Sequence, residues 1–182
     1  PWPVRLAALP AFGAELQLAL AQEGPGALPA LAEEWAALPG ETLEAWTAVT
    51  GEHRAVRRRC LALLGELEIL EEAWRAEAAG ALALLDGLDG PAYEAALDQE
   101  SGGGQEARWA AYLIRRWFLR ADFDGDIYGK LALPVLSILA LRELALARRL
   151  GTGACSPADW RELARRWAKE IEHCAENLAA LY

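Results

Sequence analysis

The stretch LALPVLSILAL, residues 131–141, is apolar on every face of a helix apart from Ser137. A helix needs a polar side wherever it meets water, so a stretch with none has to be covered all round by other elements. This predicts a buried central helix over about 126–150, capped by Asp126. Pro134 either kinks that helix or sits within its first turns. The rest of the chain has to supply the cover. Ala, Leu, Glu and Arg dominate it while Val, Ile and Thr are scarce, a balance that favours helices over strands. At 182 residues and 54% apolar composition the chain can bury one good core. The expected fold is therefore all-α: a single compact helical bundle, residues 1–182 forming one helical domain.

Proline and glycine mark the divisions. EGPGALP (23–29) reads as a loop, PALAEEWAAL as a short helix and PG (39–40) as its stop. Helices are expected from about Glu41 to the TG at 50–51, from about Glu52, and from near Glu66. The last of these places Leu67, Leu70, Trp74 and Ala78 on one stripe, and GLDGP (87–91) closes it. SGGGQ makes the region near 99–105 a flexible loop between two helical halves. QEARWAAYLIRRWFLRA (105–121) then runs into the acidic turn DFDGD. Ser156, Pro157 and Asp159 have the N-cap, N1 proline and acidic N3 of a helix start, which predicts a long C-terminal helix over about 157–181.

Charge and special residues exclude several classes of function. A net charge of −9 disfavours nucleic acid, whose phosphates need clustered Lys and Arg. No uncharged run is long enough to span a bilayer, and the interrupted start PWPVRLAALPAFG makes a poor signal peptide. Cys60, Cys155 and Cys174 are widely spaced and odd in number, giving neither a disulfide framework nor a CxxC knuckle and favouring a reducing, cytoplasmic setting. The absence of Met and the start at Pro1 predict that this is the C-terminal part of a larger protein. No glycine loop follows a strand pattern, and no GxSxG occurs.

The polar residues concentrate in EIEHCAENL (170–178), which holds the chain's only asparagine and one of its two histidines. On a helical wheel Trp160, Leu163, Trp167, Ile171, Cys174, Leu178 and Leu181 form an apolar face, so Cys174 reads as a small core residue. Glu172 and Glu176 fall on the solvated side with Arg161, Arg165 and Lys169. Glu170, His173 and Asn177 share the edge where a half-buried polar site can form. Glu170-x-x-His173 has the spacing of a di-iron ligand pair, but the second ExxH that such a site needs is absent: His53 has Thr50 three residues before it. No zinc set is present either, so no metal is expected. DFDGD resembles a calcium loop, yet Ile127 and Leu133 stand where an EF-hand needs Gly and Glu. The plain reading is a turn at Gly125 with Asp126 as a cap. Arg116 and Arg120 lie four apart on one stripe near Trp109 and Tyr112. Either they complement the helix C-terminus, or they pair with Asp124, Glu170 or a bound anion.

IRRWFLRADFDGDIYGK (114–130) followed by KEIEHCAENLAALY (169–182) resembles the C-terminal half of the bacterial flagellin lysine-N-methylase family. The matching positions are Arg116, Trp117, Phe118, Asp124, Gly125, Asp126, Lys130, Glu170, Glu172, His173, Glu176 and Asn177, with Cys174 where the family more often has serine. The resemblance implies methyl transfer from S-adenosylmethionine to lysine side chains of flagellin. It implies an iron–sulfur cluster only where a cysteine-rich segment precedes this chain. On this reading Glu170 and His173 are the catalytic pair, accepting a proton so that a neutral amine attacks the methyl group. Arg116, Arg120, Asp124, Asp126, Lys130 and Asn177 form the surrounding binding set, gathered where the last three helices meet. The alternative is a non-catalytic helical protein-binding module in which the same polar residues are a structural ion-pair seam.

Overall fold

The central helix is present in the computed structural model, which describes residues 2–39, 53–68, 70–99 and 104–181. The helices are α1 (Trp2–Glu23), α2 (Leu28–Ala37), α3 (His53–Glu66), α4 (Glu72–Asp86), α5 (Gly90–Gln99) and α6 (Gln105–Trp117). A 3-10 turn (Phe118–Arg120) then leads into the single turn α7 (Ala121–Asp124) and the long helix α8 (Ile127–Thr152). The chain finishes with α9 (Pro157–Trp167), a π-helical turn (Ala168–Glu172) and α10 (Ala175–Ala180). No strand occurs among the described residues, and no helix there is long and apolar enough to cross a membrane. The expected helix from Glu41 and most of the loop near 99–105 lie outside the described residues.

The start of α8 is determined locally and then reinforced. Gly125 adopts a left-handed φ of 71°, a conformation that costs a residue without a Cβ little. Asp126 Oδ1 accepts from the Gly129 amide at 2.9 Å, the N-cap bond expected of it. A further cap comes from α1: Gln17 Oε1 accepts from the amides of Ile127 (2.7 Å) and Tyr128 (3.3 Å), while its Nε2 donates to Gly125 O. Pro134 lies inside the helix.

The described chain divides into two compact units. One comprises Pro1–Gly51 and Ala110–Val135. Its core is Leu16, Ile127 and Leu131, with Phe12, Leu20, Ile114 and Phe118 packed against them. Gly13 fits this packing closely, since a Cβ there would stand 3.3 Å from Leu131 Cδ1. The other unit comprises Glu52–Trp109 and Leu136–Tyr182. Its larger core includes Leu61, Leu64, Trp74, Leu85, Tyr93, Leu141, Leu144, Leu163, Trp167 and Ile171.

Within the second unit α8 carries charged residues that meet partners on other helices. Glu143 is 1% exposed; its Oε1 accepts from the Tyr93 hydroxyl at 2.6 Å and lies 3.4 Å from an Arg57 nitrogen. Arg142 Nε lies 3.3 Å from Glu106 Oε1. Glu77 of α4 bridges Arg148 of α8 (2.5 Å) and Arg166 of α9 (2.9 Å).

Burial raises the Glu143 carboxyl above its ordinary value, against the smaller lowering effects of Tyr93 and Arg57. A carboxyl raised on folding favours the folded state least once both states are ionised. The wild type should therefore lose stability from this group as pH rises from about 4.3 through the raised value. Glu143→Gln should remove that dependence. Thermal melts from pH 4 to 8 are expected to show the variant's melting temperature rising relative to wild type with pH; a constant difference would refute the assignment.

Candidate functional site

The C-terminal polar residues owe their positions to a break in helical register. The α9 start carries the expected capping box: Ser156 Oγ accepts from the Asp159 amide and Asp159 Oδ2 accepts from the Ser156 amide at 2.7 Å. Trp160, Leu163 and Trp167 are buried as the wheel predicts. The segment 157–181 does not stay a single α-helix, however. Through Ala168–Glu172 it widens into a π turn, in which the His173 amide donates to Ala168 O five residues back at 3.0 Å. Cys174 is then extended and α10 begins at Ala175.

This break corrects the wheel. The π turn admits one residue more than an α turn and rotates the residues after it, so side chains assigned to the edge or to solvent turn inward. Glu172, expected to be solvated, is 6% exposed, while Glu170 and Asn177 are 1% and 2% exposed. Cys174 is buried as expected; His173 and Glu176 are exposed.

Glu170 and Asn177 are brought together, and both bind backbone. Glu170 Oε2 accepts from the Leu70 amide at 2.9 Å. Asn177 Nδ2 donates to Glu68 O at 2.5 Å and to Glu170 O at 2.7 Å. Lys169 pairs with Glu71. These bonds tie the backbone of Glu68 and Leu70, between α3 and α4, to the C-terminal segment, and α4 starts at Glu72 and not near Glu66. Leu70, expected on the buried stripe, is consequently 52% exposed.

The other predicted residues lie in the first unit. Lys130 is 4% exposed, with Nζ 2.8 Å from Asp124 Oδ2 and 3.6 Å from Asp126 Oδ2. The hydrogen bond from Lys130, then that from the Asp126 amide, hold the Asp124 carboxyl below its ordinary range. Arg116 and Arg120 place their guanidinium carbons 5.2 and 4.4 Å from the centre of the Trp117 ring. Arg116, Arg120, Asp124, Asp126 and Lys130 thus belong to one unit, and Glu170, His173 and Asn177 to the other.

Sequence reasoning missed several features. The Tyr93–Glu143–Arg57 cluster is assembled from three helices and has no local signature. Burial, with Glu143 nearby, pushes the Cys60 thiol up to about 11, which leaves it a poor nucleophile. Glu68, Cys174 and Glu176 have potential ligand atoms within 4.8 Å of one another. Two exposed carboxylates around a thiol, without imidazole, are a poor set for zinc. Cys174 and Glu176 are two residues apart in the sequence, whereas Glu68 is remote from both. Also unforeseen is the exposure of Leu119 (74%) and Phe123 (90%) beside the two arginines.

No family model, curated protein or solved structure matches the chain.

Asn177→Ala should leave Glu68 O and Glu170 O without their donor, a loss of about 1–3 kcal/mol in a denaturant melt. Glu170→Ala should speed hydrogen exchange at the Leu70 amide. Unchanged exchange at Leu70 would show that the Glu170 bond does not hold the connection.

Proposed function

We propose that this chain acts as a helical protein-binding module and not as a catalyst. The reading is carried by Leu119 and Phe123, which are 74% and 90% exposed and lie four residues apart in one helical run beside Arg116 and Arg120. Single apolar side chains scattered on a surface are ordinary; two large ones this exposed within four residues of each other are the kind of surface that a partner would cover. The polar residues that suggested chemistry support the same reading. Glu170 and Asn177 are buried and bonded to backbone, and Asp126 caps a helix.

The competing reading, methyl transfer to flagellin lysines with S-adenosylmethionine as donor, rests on the resemblance of residues 114–130 and 169–182. It requires Glu170 or His173 to take a proton from a substrate ammonium. His173 is exposed, whereas Glu170 is 1% exposed and accepts from Leu70. The two readings separate in one experiment. The chain, alone and within any longer protein that contains it, is incubated with flagellin and labelled S-adenosylmethionine, as wild type and as Glu170→Gln and His173→Ala. The module reading expects no transfer, and a lower melting temperature for Glu170→Gln. Transfer by wild type that is lost in a variant of unchanged melting temperature would overturn it.

A further inference from the structure

From Leu6 to Glu52 the sequence carries seven glutamates and no lysine or arginine, so this stretch accounts for −7 of the chain's net −9. Four of these glutamates, Glu15, Glu23, Glu33 and Glu34, lie on α1 and α2 of the first unit and are exposed. They make no ion pair among the described residues, whereas exposed acids elsewhere, such as Glu66 and Asp86, meet Arg59 and Arg58. An acidic field without internal counter-charges attracts cationic partners, and it repels nucleic acid and anionic membranes alike.

The same two helices form an apolar groove of about 210 Å³. Phe12 of α1 and Trp35 of α2 line it, with ring centres 5.2 Å apart and planes tilted by 45°. Leu9 and Leu38 add to its walls, while the small side chains of Ala32 and Ala36 are exposed and leave it open to solvent. Apolar cavities of about 150 Å³ take up a benzene ring, so this groove has room for one leucine or phenylalanine side chain. Partner side chains that anchor an interface fill pockets of this sort, and aromatic walls give up little rotamer freedom on binding. Carboxylates stand beside it. Trp35 Nε1 donates to Glu15 Oε2 at 2.6 Å, which orients the ring and sets a carboxylate at its edge. Glu33 lies three residues before Ala36, the spacing of neighbours on a helix surface.

We infer that this groove binds a basic, amphipathic helical segment of a partner protein. One large apolar side chain of that segment sits against Phe12 and Trp35, and its lysines or arginines lie over Glu15 and Glu33. The inference rests on the binding-module reading and gives a partner its chemistry, on helices other than the run that bears Leu119 and Phe123. Charge complementarity selects this occupant over a second copy of the chain, which would bring another −9 to the same surface. A contact of this size is weak and salt-dependent, as transient encounters are.

The test is calorimetric titration of the whole chain with a synthetic helical peptide bearing lysines on one face and a single phenylalanine on the other. Two counterparts are titrated in parallel, one with Gln for every Lys and one with Ser for the phenylalanine. The parent peptide is expected to bind, and to bind about tenfold more weakly to Ala36→Phe, which fills the groove from an exposed position. Glu15→Gln/Glu33→Gln should weaken it about threefold and flatten its salt dependence. Glu68→Gln/Glu94→Gln, which removes the same charge from the other unit, should bind as wild type does. Melting temperatures identify any variant that loses binding by unfolding. Equal affinity for the Gln peptide would sink the basic partner and leave the module reading standing. Equal affinity for the Ser peptide, or full affinity in Ala36→Phe, would show adsorption to acidic surface without use of the groove and would overturn the inference. Binding that appears only in Trp46→Ser would assign the groove to the chain's own residues 41–50, with the same consequence, as would no binding at all. The module reading itself falls only on the methyl-transfer result above.

Discussion

Most of this structure follows from the need to cover a helix that has no polar face over residues 131–141. Both cores draw on α8: Ile127 and Leu131 belong to one, and Leu141, Leu144 and Leu146 to the other. Each fully buried leucine contributes roughly 1.5–3 kcal/mol through removal from water, and that non-directional gain by itself prefers no one rotation of the helix to another. The charged residues around it supply the preference. Lys130 meets Asp124, Arg142 meets Glu106, Glu143 meets Tyr93 and Arg57, and Arg148 meets Glu77. A buried charge without its partner costs several kcal/mol, so any other register of α8 is penalised at several points. Such pairs add little net stability compared with well-packed apolar residues. Their effect is to specify one arrangement among many apolar ones.

The C-terminal polar cluster works by the same logic, with backbone as the partner. Glu170 and Asn177 satisfy the amide of Leu70 and the carbonyls of Glu68 and Glu170, groups that no helix provides for. Both side chains are buried, and the partners they meet are backbone groups. The exposed face near Trp117 is the converse case. There the buried ring supports charged side chains that remain in water, and apolar side chains stand beside them without cover. Polar groups bound to backbone inside and apolar groups uncovered outside are the two observations on which the proposed binding module rests.

Local chemistry made much of the fold legible. An all-apolar run, the Asp126 cap, the Gly125 turn and the Ser156–Asp159 capping box each depend on residues within a few positions of one another, so sequence alone determined an all-helical protein, the extent of α8 and the start of α9. Tertiary contacts decided the rest. Gln17 caps a helix more than a hundred residues later, and Glu143 meets a tyrosine and an arginine from two other helices. The wheel failed at Glu172 because it assumes a uniform turn, and the π turn at Ala168–Glu172 interrupts that uniformity where the backbone of Glu68 and Leu70 is bound. Which polar residues are buried thus depended on where distant backbone groups needed partners, and no spacing within the sequence encodes that.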